Sequence, residues 1–140
     1  MTVPQGRTAI EPRDTALTCA RIADGKKARD IVVLDIRRLF FLTDFFVIAT
    51  GNNTIQLRAI ADEVNRRLKE AGLRRLSLTG YQDGRWVLMD YIDVVVHLFL
   101  PEAREYYDLE LLWGDAPRLD WEAGSIQMPP SVVDENNPSS

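Results

Sequence analysis

The chain has 140 residues, of which 46% are hydrophobic, and its formal net charge is −4. This length and apolar content predict one folded domain with a substantial core and exclude a globally disordered chain. The negative charge argues against a protein that binds nucleic acid over a large surface, although it is compatible with a small basic patch or with a basic protein partner.

Cysteine and histidine occur once each, as Cys19 and His97. A single thiol forms no disulfide within the chain, and these two side chains are too few for a zinc site, so a reducing compartment is indicated. The sequence contains no apolar run of about 18 residues, and its first residues lack the apolar core of a signal peptide. We therefore expect a cytoplasmic protein that needs no membrane, metal or other cofactor.

The first part of the chain predicts an irregular arm, a helix and two strands. Proline and glycine without periodicity predict the arm over residues 1–13, and Asp14 is expected to cap a helix over residues 15–24. β-branched and apolar residues predict a strand over residues 31–36 and a second, buried strand at Phe45–Thr50.

A longer helix is predicted next. Asn53 and Gln56 have the spacing of a capping box, an apolar stripe with helical period follows them, and Gly72 is expected to end the helix. Its remaining positions are rich in charge, which is typical of a face in contact with solvent. The sequence thus predicts an amphipathic helix that docks on a sheet.

The centre of the predicted sheet follows. Asp83 and Gly84 are a turn signal between a weak strand over residues 75–79 and a strand that begins at Trp86. The run over residues 94–100 is almost entirely apolar. A strand that is apolar on both faces lies in the middle of a covered sheet, so we expect this run to be the central strand.

The last predicted helix covers residues 102–113, where Pro101 fits its first turn. Its apolar surface is wider than docking on a sheet requires, which predicts that the tail or another chain, as in a homodimer, covers part of it. Scattered prolines predict an extended or disordered tail over residues 115–140, in which Leu119 and Trp121 could still lie across the domain.

The predicted order of elements is αββαβββα. A mixed sheet with helices on its faces is the economical way to bury both sides of two apolar strands. We therefore predict an α/β (α+β) fold, with about five strands flanked by helices, over residues 14–114.

One end of the predicted sheet gathers a large aromatic side chain and carboxylates, which are costly to keep there for packing alone. We predict that this end is a partner-binding surface, because Trp and Tyr are favoured in interfaces. Trp86 alone fits a core position equally well, whereas Tyr91 in a turn favours the surface. The candidate contact residues are Trp86, Met89, Asp90, Tyr91 and Asp93.

No catalytic or metal-binding constellation is predicted. Asp90 and Asp93 lack the alternate spacing that two ligands on one strand require. His97 lies inside an apolar strand and favours a buried imidazole that a polar neighbour satisfies, and Cys19 favours a small buried side chain. A nucleotidyltransferase-like enzyme that binds a magnesium-nucleotide stays open as the alternative, because Gly51 precedes a helix and aspartates are scattered along the chain.

An ordered set of motifs resembles the ribosomal silencing factor family, also called the Iojap-like family. The set runs from TDFFVIATG through Gln56, AIAD and AG to Trp86 with Asp90, and then through DVVVH and YYDLE to LW. These motifs are found in that order between Thr15 and Trp113.

The resemblance implies a nucleotidyltransferase-like fold without transferase activity, and therefore no catalytic residue and no cofactor. Members of the family bind the fourteenth large-subunit ribosomal protein and block the small subunit from joining, so that translation is repressed when nutrients fall. For this chain the resemblance implies that Trp86 and Asp90 belong to the contact surface. It implies no sequence-specific contact with nucleic acid.

Overall fold

The computed structural model describes residues 10–122, which form a six-stranded mixed sheet with helices on both faces. The strand order is β3-β4-β5-β2-β1-β6. The predicted α/β fold is thus confirmed, with six strands in place of about five. In chain order the elements are α1 Pro12–Gly25, β1 Arg29–Asp35, β2 Phe45–Thr50, α2 Thr54–Glu70, β3 Ser77–Thr79, β4 Trp86–Asp90, β5 Val94–Phe99, α3 Pro101–Tyr107, α4 Leu109–Leu112 and β6 Arg118–Leu119.

The apolar strand β5 lies inside the sheet, as its sequence predicted. It pairs in parallel with β2 and antiparallel with β4, so both of its edges are hydrogen-bonded. Helices α1 and α2 pack on one face of the sheet, and the short helices α3 and α4 lie against the other. A strand that is covered on both faces is expected to be apolar on both, which explains why only His97 interrupts the apolar run.

Helix α1 begins three residues earlier than predicted, and Asp14 is not its cap. Glu11 occupies the N-cap position without a side-chain cap bond, and Pro12 is the first helical residue. The fixed φ of proline suits that position, where an amide hydrogen would have no partner. Pro12 and Arg13 therefore belong to the helix, while residues 1–9 of the predicted arm lie outside the described residues.

Helix α2 has the predicted cap. The Asn53 side chain accepts a hydrogen bond from the Gln56 amide at 2.8 Å. The Gln56 side chain in turn accepts from the amide of Asn52 at 2.6 Å, one residue away from the position that a capping box specifies. Gly72 has a φ of 93°, which suits the residue that follows a helix.

Strands β3 and β4 pair antiparallel, as predicted, but six residues connect them. Gly80 and Gly84 both have positive φ in this connection. A Cβ atom on Gly80 would lie 1.9 Å from the backbone oxygen of Trp86. The turn therefore needs glycine at this position for space as well as for its dihedral angle.

The single helix predicted over residues 102–113 is in fact two. Asp108 separates α3 from α4 with a left-handed φ of 46°, and its side chain accepts a hydrogen bond from the Leu111 amide. Aspartate tolerates this conformation and offers the backbone a local acceptor, so it competes with a continuous helix. The apolar period gave no sign of the break because it continues across it.

Part of the predicted tail is a sheet strand. Strand β6 pairs with the outer edge of β1, and the Trp121 indole donates to the Ile31 carbonyl at 3.1 Å. Leu119 and Trp121 thus lie across the domain, packed against the core on the α1 side. Residues 123–140 lie outside the described part of the chain.

The larger core lies between the sheet and helices α1 and α2, and it includes Cys19. Burial raises the pKa of this thiol to about 12, as expected for a small core side chain. Within residues 10–122, no helix is long and apolar enough to cross a membrane.

Candidate partner-binding surface

Alternation along β4 sorts the predicted contact residues onto two faces. Val87 and Met89 point to the α1–α2 core and are fully buried. Trp86, Leu88 and Asp90 take the alternate positions and are half-buried. The side-chain period of a strand is two, so residues named together in the sequence separate into a core set and a surface set.

Trp86 stands at the start of β4 in a cluster of rings. Its indole stacks on Phe99 at 4.9 Å between centroids, and the tilted ring of Tyr107 of α3 lies 4.5 Å from it. The indole nitrogen donates to His97 Nδ1 at 3.2 Å. Two ring contacts and one hydrogen bond fix the orientation of an aromatic side chain that remains partly exposed.

His97 is buried beneath this cluster, as predicted. Because Nδ1 accepts the indole hydrogen, the ring proton of the neutral imidazole lies on Nε2. Nε2 is buried and has no hydrogen-bond partner among the described residues. Burial lowers the pKa of His97 to about 4, so the imidazole is neutral near pH 7 and remains an acceptor for Trp86.

Two of the predicted contact residues are not accessible. Met89 has an exposed fraction of 0% and Tyr91 of 5%, and both pack into the α1–α2 core. The Tyr91 hydroxyl donates to the side-chain oxygen of Asn65 at 3.2 Å, and burial raises the Tyr91 pKa to about 12. The turn position of Tyr91 predicted exposure, but its ring packs against α2. The prediction that Met89 and Tyr91 belong to the contact surface is therefore wrong.

Asp90 and Asp93 have separate positions at the end of β4. An Asp90 carboxylate oxygen accepts from the Ile92 amide at 2.7 Å, which holds a turn in which Ile92 has a φ of 75°. The Asp93 side chain is exposed, and its backbone carbonyl accepts from the amides of Asp44 and Phe45. Asp90 thus holds the turn, whereas the Asp93 carboxylate is exposed close by in sequence.

A second pair of carboxylates lies near Asp93. Partial burial and the charge of Asp93 raise the pKa of Asp44. The hydrogen bond from Arg37 holds the pKa of Asp35 below its ordinary value. Among the described residues, no group of three histidine, cysteine or carboxylate side chains is placed to hold a metal ion.

The geometry adds residues that the sequence reasoning did not name. Leu88 lies opposite His97, and Val95 lies opposite Asp90 on the same face of the sheet. We call the half-buried set Trp86, Leu88, Asp90 and Val95 the open sheet face. Strict alternation from Trp86 would have identified Leu88 in place of Met89 and Tyr91, because positions i, i+2 and i+4 of a strand share a face.

Comparison with known proteins shows the family. The profile described as ribosomal silencing factor during starvation matches residues 9–139. The chain belongs to the ribosomal silencing factor family. The resemblance that the sequence motifs indicated is therefore confirmed.

Relatives of the family share both sequence and fold with the chain. The ribosomal silencing factor of Bacillus subtilis is 43% identical over 108 residues, which are 77% of this chain and 92% of that protein. A crystal structure of a Chromobacterium violaceum protein has a TM-score of 0.73 at 35% identity and covers 94% of this chain and 100% of its own. A mouse relative, named mitochondrial assembly of ribosomal large subunit protein 1, is 35% identical over 91 residues, 63% of this chain and 40% of its own length.

Proposed function

We propose that the protein binds the fourteenth protein of the large ribosomal subunit and thereby blocks the small subunit from joining, so that translation is repressed. Membership of the silencing factor family supports a ribosomal role, and the name of the mouse relative points to the large subunit. The observation that carries the proposal is the open sheet face, on which a fixed and partly exposed Trp86 stands beside Leu88 and Val95.

The mechanism requires no bond-making chemistry. A partner that covers the open sheet face would bury the exposed part of the indole and the apolar edges of Leu88 and Val95. Buried aromatic side chains that are already ordered contribute strongly to binding, because little conformational entropy is lost when they are covered. The rest of the domain then supplies the bulk that collides with the small subunit.

Charge favours a basic partner. The chain has a net charge of −4, and carboxylates such as Asp83 and Asp93 are exposed at the two ends of β4. Ribosomal proteins are commonly basic, so opposite charges at the rim would speed encounter and orient the two surfaces. Acting on ribosomal subunits in this way, the protein would work in the cytoplasm.

Replacing the Trp86 indole tests whether the open sheet face binds the large subunit. We expect Trp86→Ala to weaken co-sedimentation with isolated large subunits by about tenfold or more and to relieve inhibition in a subunit-joining assay, since interface tryptophans often contribute 2 kcal/mol or more. Trp121→Ala is the matched control, because Trp121 is also half-buried with one indole hydrogen bond but lies on the opposite face and edge of the sheet. Unchanged co-sedimentation of a folded Trp86→Ala protein would refute the proposed surface.

The same proposal predicts that the protein does not catalyse nucleotidyl transfer. Such an enzyme needs carboxylates that converge on magnesium, and Asp90 instead accepts a backbone amide within its own turn. We expect calorimetry with a magnesium-nucleotide to give no binding heat. Tight binding of the magnesium-nucleotide would instead favour the hypothesis that the protein is a nucleotidyltransferase-like enzyme.

A homodimer is a second candidate property, favoured by the exposed apolar side chains of α3 and α4. Tyr106, Leu111 and Leu112 are each more than two-thirds exposed. Single exposed apolar residues are ordinary, but several large ones on two consecutive short helices favour an interface. Light scattering on the wild type and on Leu111→Glu decides the point: a dimer that the substitution dissociates supports this surface, and a wild-type monomer excludes it.

A further inference from the structure

A cleft beside the open sheet face has no part in the proposed mechanism so far. It lies between the start of β4 and helix α3, where the Leu100 amide donates to the Arg85 carbonyl at 2.9 Å. Its volume of about 840 Å³ is that of a site which takes a small molecule or a side chain of a partner. We call it the aromatic cleft; its ring and charged side chains are Trp86, Tyr106, Tyr107, Asp83, Arg85 and Glu102.

Three aromatic rings follow one another along the aromatic cleft. The centroid of the Tyr107 ring lies 4.5 Å from that of Trp86 and 5.0 Å from that of Tyr106, and the two tyrosine rings are perpendicular. Tyr106 is 81% exposed, Tyr107 is 49% exposed and Trp86 is half-buried. Exposed rings that line a cleft attract a cation, because the face of an aromatic ring carries negative charge density.

The charged side chains of the aromatic cleft leave one carboxylate without a partner. The Arg85 guanidinium donates to the Asp83 carboxylate at 3.0 Å, so these two opposite charges form a pair. Glu102 is exposed and forms no ion pair with any arginine or lysine within residues 10–122. Two carboxylates against one guanidinium give the cleft a net charge of −1. This charge favours a cationic occupant over an anionic one.

Two neighbouring cations of the same elements do not line the aromatic cleft. Arg104 of α3 contacts Glu110 at 2.9 Å and lines a different cleft, on the β1 side of the helix. Arg58 of α2 donates to the carbonyls of Tyr81 and Gln82, in the connection before β4. Within the described part of the chain, Arg85 is thus the only cation among the lining residues, and it already has a carboxylate partner.

We propose that the aromatic cleft receives a cationic side chain, an arginine or a lysine, of the ribosomal partner protein, an inference that rests on the proposed function. The cation lies against the rings of Trp86 and Tyr106, and its charge meets the Glu102 carboxylate. Trp86 belongs both to this cleft and to the open sheet face, so one partner surface covers the two together. The open sheet face then supplies apolar contact area, and the cleft selects a positively charged side chain.

Removing the charge of Glu102 tests for the cation. We expect Glu102→Gln to weaken the affinity for isolated large subunits about fivefold at low salt, and the loss should shrink at high salt because ions screen the pair. Glu105→Gln is the matched control: it removes the same charge from an exposed residue of α3 that does not line the aromatic cleft, and it should change affinity by about twofold at most. An unchanged affinity of Glu102→Gln would overturn the inference, and so would a higher one, which indicates a phosphate in the cleft.

Two variants of Tyr106 test for the ring. Tyr106 is 81% exposed, so neither Tyr106→Leu nor Tyr106→Phe should disturb the fold. We expect Tyr106→Leu to weaken affinity about threefold to fivefold and Tyr106→Phe to keep it, because a cation is attracted to the ring and not to the hydroxyl. Light scattering checks that both variants keep the oligomeric state of the wild type, since Tyr106 also belongs to the candidate dimer surface. Wild-type affinity of Tyr106→Leu, or equal losses in both variants, would overturn the inference.

Isolated partner protein, free of RNA, shows where the cation comes from and separates the two proposals. We expect Glu102→Gln to weaken binding to this protein by the same factor as binding to whole subunits. A loss seen only on whole subunits would place RNA in the aromatic cleft and overturn the inference. If Trp86→Ala weakens binding while Glu102→Gln and Tyr106→Leu do not, only the inference fails. Wild-type affinity of Trp86→Ala for both targets would instead refute the proposed function.

Discussion

Trp86 is held in place by its neighbours and yet only half-buried. Phe99 and Tyr107 lie on the indole at 4.9 and 4.5 Å, and His97 accepts its hydrogen. Ring contacts of this kind contribute about 0.5–1.5 kcal/mol each beyond the area they bury. The indole is therefore already ordered in the free protein, so little conformational entropy would be lost when a partner covers it.

His97 makes the stability of the protein depend on pH, because its pKa of about 4 in the folded protein lies well below the pKa of histidine in an unfolded chain. As pH falls, His97 is protonated in the unfolded state before it is protonated in the folded state. The contribution of the neutral His97 to stability is therefore fully present above about pH 6.5 and is lost as pH falls towards the folded pKa. We expect about 3 kcal/mol of the free energy of unfolding to be lost between about pH 7 and pH 4 through this group. Urea unfolding across that range measures the loss.

The control for His97 is His97→Asn, which keeps an acceptor near the indole and cannot take up the proton. Asp35 and Asp44 also have shifted pKa values, but they are the same in both proteins. The difference between the two stability curves therefore isolates the histidine. Parallel curves for the wild type and the variant would show that the imidazole is not desolvated in solution.

At the scale of elements, Arg104 links α3 to the sheet through ionic and hydrogen-bonded contacts. The α3 and α4 helices bury no residue completely, but the Arg104 side chain is only 11% exposed and contacts Glu110 at 2.9 Å. It also donates to the Thr50 hydroxyl at 2.8 Å and to the Asp30 carbonyl. One guanidinium thus joins α3, α4 and the ends of β1 and β2.

Removing this guanidinium should loosen both helices. We expect Arg104→Gln to lower the free energy of unfolding by about 2 kcal/mol or more, because charged hydrogen bonds contribute about 1.5–3 kcal/mol and Glu110 would keep only its longer contact with Arg118, at 3.6 Å. Since Tyr107 of α3 covers the indole, tryptophan fluorescence should shift to the red as well. Urea unfolding and emission spectra provide the two measurements.

Glu105 supplies the comparison for Arg104. It is the next residue of α3 and it is exposed, so Glu105→Gln should change the free energy of unfolding by about 0.5 kcal/mol at most. Equal stability of the Arg104 and Glu105 variants would mean that apolar contacts, rather than the guanidinium, hold α3.

At the scale of the whole molecule, the segment after α4 completes the sheet. The Pro117 carbonyl accepts from the Asp35 amide at 2.8 Å, and β6 covers the free edge of β1. Ala116 is buried, and Trp121 packs on the core. An uncovered strand edge invites pairing with other chains, so this segment affects both stability and solubility.

Truncation tests the contribution of β6. We expect a chain that ends at Gly114 to be less stable by about 3 kcal/mol than a chain that ends at Glu122, because it loses the β6 hydrogen bonds, the buried Ala116 and the packing of the half-buried Trp121. Urea unfolding compares the two, and light scattering should show that the shorter chain associates. Equal unfolding midpoints would mean that β6 adds nothing to the fold.

The sequence by itself determined the local structure wherever one physical signal was strong. The almost entirely apolar run predicted the place of β5 inside the sheet, and the Asn53 cap with the apolar stripe after it predicted the start of α2. It also fixed the family, because the ordered motifs match residues that the family profile covers. The apolar run, the helix cap and each of the family motifs are patterns of residues that are close together in sequence.

The tertiary structure alone decided which side chains reach the surface. Met89 and Tyr91 are close to Trp86 and Asp90 in sequence, but they are buried in the core because of the strand period and the turn. Val95, which lies on the same face as Asp90, belongs to the next strand. The break at Asp108 and the pairing of β6 with β1 were equally hidden, because each depends on contacts that the local pattern does not encode. Burial is a property of the packed sheet, and a single strand read in isolation does not reveal which of its faces will be covered.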